Sequence, residues 1–166
     1  MLDGRDVVVA LKAAGVSHVV WLPDSYLGQW DAALSGPEGL PLIRVCREGE
    51  AIAIAGGLLL GGQWPIVLLQ CTGLFEAGDA LRNIVHDLKL PLFLLVGARG
   101  WKQSQHNRSL GRPAADTCAV FLEDIVRAWR IGYTWLTESS SATDLATLYR
   151  QQARLAKQAH CVLVPE

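Results

Sequence analysis

Short apolar runs along this chain alternate with longer stretches in which apolar residues recur every three or four positions. That alternation predicts parallel strands covered on both faces by helices. Six cycles can be traced. Asp3 caps a first helix running to about Ala14, with Val7, Val8 and Leu11 at helical spacing and Gly15 past its end. A strand at 18–22 stops at Pro23-Asp24-Ser25, and a second helix covers about 25–34. The turn Gly36-Pro37-Glu38-Gly39 delivers a strand at 42–46. The next helix, Glu48 to about Leu60, is apolar on nearly every side and is expected to be buried all round. Its Ala55, Gly56 and Gly57 would let another backbone approach closely, including that of a partner chain.

The third strand, 66–70, leads into a Cys71-Thr72-Gly73 loop and a helix at about 75–88, followed by a strand at 90–96. Residues 97–113 have no apolar period and form a stretch longer than most connections, which marks them as functional or mobile. A helix at about 116–129, a strand at 133–136, a helix capped by Ser139-Ser140-Ser141 and a last strand at 161–164 complete the pattern. The expected architecture is one domain over 1–166, a three-layer α/β/α sandwich around a six-stranded, mostly parallel sheet.

Composition narrows the picture. With 51% apolar and 19% charged residues, the 166-residue chain can fill a core without metal or disulfide staples. Fifteen basic against sixteen acidic residues leave no field to hold nucleic acid or an anionic membrane. Cys46, Cys71, Cys118 and Cys161 are far apart, with no C-x-x-C and no Cys/His cluster at zinc spacing. No segment has the pattern of a signal peptide or reaches the roughly 18–20 apolar residues of a membrane helix. A cytoplasmic protein is expected.

Ligands of open parallel sheets gather at the carboxyl ends of the strands. This singles out Pro23-Asp24-Ser25, Arg47-Glu48, Cys71-Thr72-Gly73 and Arg99. Glu48 ends one strand connection and opens the most apolar helix. Such a glutamate can simply complement the helix dipole. Held between an apolar helix and an apolar partner surface, it can instead keep a proton and share it with a ligand nitrogen. Gly57 to Gly62 closes a helix and so is no dinucleotide fingerprint, which must follow a strand. An unrelated nucleotide-binding domain is disfavoured on that ground.

The run from Arg47 to Gly57, Arg-Glu-Gly-Glu-Ala-Ile-Ala-Ile-Ala-Gly-Gly, resembles the segment holding the activating glutamate of thiamine-diphosphate decarboxylases. It is most similar to the α subunit of sulfopyruvate decarboxylase and the matching half of phosphonopyruvate decarboxylase. The resemblance continues through Gly15 to Ser25, Leu69-Gln70-Cys71-Thr72-Gly73-Leu74, the 90–96 run with Arg99-Gly100, Gln105-His106 and Gly111-Arg112, and so spans nearly the whole chain. It implies the thiamine-diphosphate-binding fold, pyrimidine-binding type. Glu48 would hydrogen-bond the cofactor's aminopyrimidine, with Pro23, Gln70, Thr72 and Gly73 lining that pocket. Asp24, Ser25, Arg47, Arg99 and His106 would face an anionic 3-substituted pyruvate, with His106 also able to donate a proton. Lys102 and Arg108 are further donors, read equally well as a solvated basic loop.

The family's diphosphate and Mg²⁺ motif is not recognisable. Gly78-Asp79-Ala80 with Asn107 lacks the second glycine and lies within a helical pattern. The resemblance therefore implies no metal site in this chain, and a β subunit that binds Mg²⁺ and diphosphate. Cys71-Thr72 in place of Asn-Ser, and Trp-Lys-Gln-Ser-Gln-His at 101–106, depart from the pattern near the substrate and put the particular acid in doubt. A non-catalytic scaffold keeping the fold is the competing expectation. A homo- or hetero-oligomer with Glu48 near a subunit interface is expected in either case.

Overall fold

The computed structural model describes residues 2–166. Its elements run α1 (Gly4–Ala13), β1 (His18–Trp21), a 3₁₀ turn (Leu27–Trp30), α2 (Asp31–Ser35), β2 (Leu42–Arg44), α3 (Glu48–Leu60), β3 (Pro65–Gln70), α4 (Cys71–Glu76) and α5 (Gly78–Leu81). A π-helical turn (Arg82–Asp87), β4 (Phe93–Ala98), α6 (Trp101–Ser109), α7 (Thr117–Ala128), β5 (Gly132–Trp135), α8 (Ala142–Tyr149), a second π-helical turn (Arg150–Leu155) and β6 (His160–Pro165) follow.

All strand pairings are parallel, in the order β2-β1-β3-β4-β6-β5. Side chains alternate between two cores. Val19, Trp21, Ile66, Leu68, Phe93, Leu95 and Val162 face α1, α2 and α8, whereas Val20, Val67, Leu69, Leu94, Val96 and Leu163 face α3, α4 and α7. Strands apolar on both faces are what a doubly covered parallel sheet requires. The chain leaves β1 toward β2 on one side and returns to β3 on the other, so the ends of β1 and β3 flank the crevice where ligands of such sheets bind.

Helix capping sets several boundaries. Asp3 accepts from Arg5 N–H at 2.8 Å and Asp6 N–H at 3.3 Å, while Ser141 and Asp144 form a reciprocal capping box on α8. Lys89, Arg130 and Lys157 each adopt a left-handed conformation (φ 54°, 52° and 52°) between a helix end and the next strand.

Four sequence expectations need correction. The stretch after β4 is not irregular: α6 forms there although only Ser104 on it is buried, because the Lys102 N–H donates to Glu166 O at 2.8 Å and ties the helix to the end of β6. Cys71-Thr72-Gly73 is the first turn of α4 and not a loop. The second helix is split into a 3₁₀ turn and the short α2. Finally, α3 is not buried all round. Ala51, Ile52, Ala55 and Gly56 are covered, but Ala53 and Gly57 are exposed and Leu60 is 67% exposed, because the chain's own strands and the first π-helical turn cover one side only.

Candidate functional site

Leu22, Pro23, Asp24, Ser25, Glu48, Gln70, Thr72 and Arg99 line one cleft of about 320 Å³ at the carboxyl ends of β1, β3 and β4. It lies at the point where the strand order reverses.

Glu48 is placed by packing. It is the first residue of α3, and its stem crosses Gly73 of α4 so closely that a Cβ there would lie 2.2 Å from Glu48 Cγ and 2.4 Å from Oε1. Glu76, at the other end of α4, binds the α3 terminus through Gly49 N–H (3.1 Å) and Arg47 Nη2 (2.8 Å). These two contacts hold the Glu76 carboxyl below its usual range, Arg47 contributing most. Arg47 is thus paired with Glu76 and is not among the residues lining the cleft.

Asp24 turns the chain out of β1. Its Oδ1 accepts from the N–H groups of Tyr26 and Leu27, both at 2.8 Å, which starts the 3₁₀ turn. Its Oδ2 is buried without a partner. Across the cleft, Thr72 donates its hydroxyl to Gln70 Oε1 at 3.2 Å, which orients the Gln70 amide. Arg99 donates from Nε to Asp116 Oδ2 at 2.8 Å. Asp116 also caps α7 by accepting from Cys118 N–H at 2.8 Å. That cap, then the Arg99 pair, keeps Asp116 ionised against its burial. Ser104, fully buried, accepts from the Ala115 and Asp116 N–H groups at 3.0 and 3.3 Å and so fixes the Arg99 partner.

The structure therefore brings together Pro23, Asp24, Ser25, Glu48, Gln70, Thr72 and Arg99, with Gly73 beneath Glu48. It does not bring in His106, which is exposed on α6 with its carbonyl accepting from Ser109. Lys102 lines a different cavity of about 230 Å³ with Tyr26, Trp30 and Leu136, and Arg108 is exposed on α6. Sequence reasoning marks Asp116 only as a helix start and misses its pairing with Arg99. It also missed Glu166, which the strand-end rule would have found had it been applied to β6.

The sequence family described as thiamine pyrophosphate enzyme, N-terminal TPP binding domain, matches residues 3–117. Phosphonopyruvate decarboxylase of Streptomyces viridochromogenes is 29% identical over 119 residues, 70% of this chain and 30% of that protein. Sulfopyruvate decarboxylase subunit alpha of Methanococcus maripaludis is 30% identical over 94 residues, 57% of this chain and 56% of that one. The chain thus spans only 30% and 56% of these relatives' length. The crystal structure of benzoylformate decarboxylase from Polynucleobacter necessarius shares the fold, with a TM-score of 0.71 at 18% identity over 99% of this chain and 30% of that one.

Proposed function

This chain belongs to the thiamine pyrophosphate enzymes as their N-terminal cofactor-binding domain, and from that premise we propose that it is the α subunit of a heteromeric 2-oxo acid decarboxylase with Glu48 as the cofactor-activating acid. One observation carries the reading: the Glu48 carboxyl stands in the cleft at the β1/β3 reversal, on a glycine that leaves it its room.

The cleft fits an aminopyrimidine in its chemistry. Gln70 and Thr72 offer hydrogen-bonding groups, Leu22 and Pro23 offer apolar contact, and Glu48 offers a carboxyl able to hold or release a proton at a ring nitrogen. When bound, thiamine diphosphate supplies the electron sink for loss of carbon dioxide. In the proposed division of labour, Glu48 moves the proton, Gln70 and Thr72 orient the ring, and Ser25 and Arg99 face the substrate. The relatives named sulfopyruvate and phosphonopyruvate decarboxylase support an anionic 3-substituted pyruvate as that substrate. The name "subunit alpha" carried by one of them supports a second subunit, which in this proposal holds Mg²⁺ and diphosphate.

The test is carbon dioxide release by this chain mixed with such a β subunit. Glu48→Gln keeps the shape and removes the ionisable proton, so turnover should fall by about 10²–10⁴-fold, the usual contribution of a positioned acid or base. Undiminished turnover in the Gln variant refutes the assignment.

A further inference from the structure

Three buried side-chain polar atoms among the described residues lack a hydrogen-bond partner, and two are carboxylate oxygens beside the cleft: Asp24 Oδ2 and Glu166 Oε1. A buried carboxylate oxygen without a donor is costly, and two of like charge in one place more so. A proton on one of them removes the repulsion and most of the desolvation cost together.

Glu166 is held where this matters. Its N–H donates to Ala98 O at 3.3 Å, its main-chain oxygen accepts from Lys102 N–H at 2.8 Å, and the preceding Pro165 carbonyl accepts from the Tyr26 hydroxyl at 2.8 Å. The side chain then crosses Gly97, where a Cβ would lie 2.6 Å from Oε1, so only glycine leaves the carboxyl its place. Gly97 is the register partner of Gln70.

The groups that face Glu166 come from every neighbouring element. After β1 stand Asp24 and Tyr26, on β3 Gln70, after β4 Arg99, and at the α7 cap Asp116. Lys102 of α6 meets it through its main chain. Burial, then the Asp24 charge, push the Glu166 carboxyl up to about 7. Arg99 and the Gln70 side chain oppose this, and Asp116 adds to it. Arg99 pairs with Asp116 through its Nε, which offsets part of its charge.

We propose that Glu166 is a positioning residue whose carboxyl, set over Gly97 and beside Asp24, holds a proton, so that one titration sets the charge of the cleft and its acceptance of an anionic 2-oxo acid. The link to substrate rests on the proposed function above; the neutral acid does not.

The experiment has two arms. Infrared titration of the chain alone should show the carbonyl stretch of a neutral carboxylic acid disappearing near pH 7. Glu166→Gln should lack that transition, and in Asp24→Asn it should move toward the ordinary carboxylate range. A raised folded-state value means that stability is fully present below the ordinary glutamate range and falls as pH rises through about 7. Glu166→Gln, which mimics the neutral acid, should flatten urea-unfolding curves across that window. A wild type without a buried acid titrating near 7, or a transition that survives in Glu166→Gln, overturns the proposal.

In the assembled enzyme the KM for the 2-oxo acid should rise with pH, approaching tenfold per pH unit above about 7, with kcat far less affected and with a flat KM in Glu166→Gln. A Gln variant whose KM follows the wild type overturns the link to substrate. Absence of turnover in every variant would sink the decarboxylase reading, while the infrared arm still decides on Glu166.

Discussion

Gly73→Ala tests whether Glu48 is positioned by shape. The added Cβ would lie 2.2 Å from Glu48 Cγ and 2.5 Å from Cδ, whereas non-bonded carbons settle about 3.5–4.0 Å apart. Something has to move by more than about 1 Å. Rotation about the outer bonds of Glu48 gives no relief, because the clash reaches Cγ. Overpacking of this kind costs about 1–3 kcal/mol. In a Glu48→Ala background the obstructing atoms are gone, and alanine inside α4 is then favoured over glycine by about 0.5–1 kcal/mol. The propensity gain is common to both backgrounds, so the two substitutions should couple by about 1–3 kcal/mol, the overpacking cost alone. Urea unfolding of the wild type, both single variants and the double variant measures this on the chain alone, provided the m-value stays constant. If Gly73→Ala changes stability equally in both backgrounds, Glu48 does not sit where the geometry puts it. In the assembled enzyme the same displacement should cost about 10²-fold in rate.

Two further outcomes follow from buried or strained positions. Ser104→Ala removes the buried hydroxyl that accepts from two part-buried N–H groups and should cost about 1 kcal/mol in unfolding free energy; amide exchange at Ala115 and Asp116 should quicken, and unchanged exchange would show that Ser104 does not hold the Asp116 loop. At Lys157, left-handed in the fold, the Gly variant should be more stable than the Ala variant by about 1 kcal/mol in urea unfolding, and equal midpoints would contradict that backbone conformation.

What could be read from the sequence follows from where the folding information lies. β3, β4 and β6 are continuous apolar runs because both of their faces fill a core, so those strands were legible. Likewise α3 begins and ends where its apolar run does, at Glu48 and Leu60. Nothing comparable marks α6. Its residues are mostly polar and exposed, and it is held by a left-handed Gly100 before it and a main-chain bond from β6, both tertiary facts. The cleft lining was legible in part because strand ends converge by topology. His106 was singled out by resemblance, and the turn of α6 carries it away from the cleft. Asp116 and Glu166 were missed because their partners, Arg99 and the Gly97 notch, lie 17 and 69 positions away in the chain.

The order of the sheet has a consequence for how the molecule is made. β5 pairs with β6 alone, and β6 enters between β4 and β5. As the chain leaves the ribosome, β5 therefore has no strand beside it while residues 136–159 follow it out, and is held only by contacts to α6 and α7 such as those of Trp135 with Trp101 and Glu123. Only when β6 arrives do β5, the hydroxyl bond of Tyr26 and the Glu166 corner of the cleft fall into place in one step. A chain truncated before residue 160 should leave β5 without a strand neighbour, open to protease or to another strand's edge.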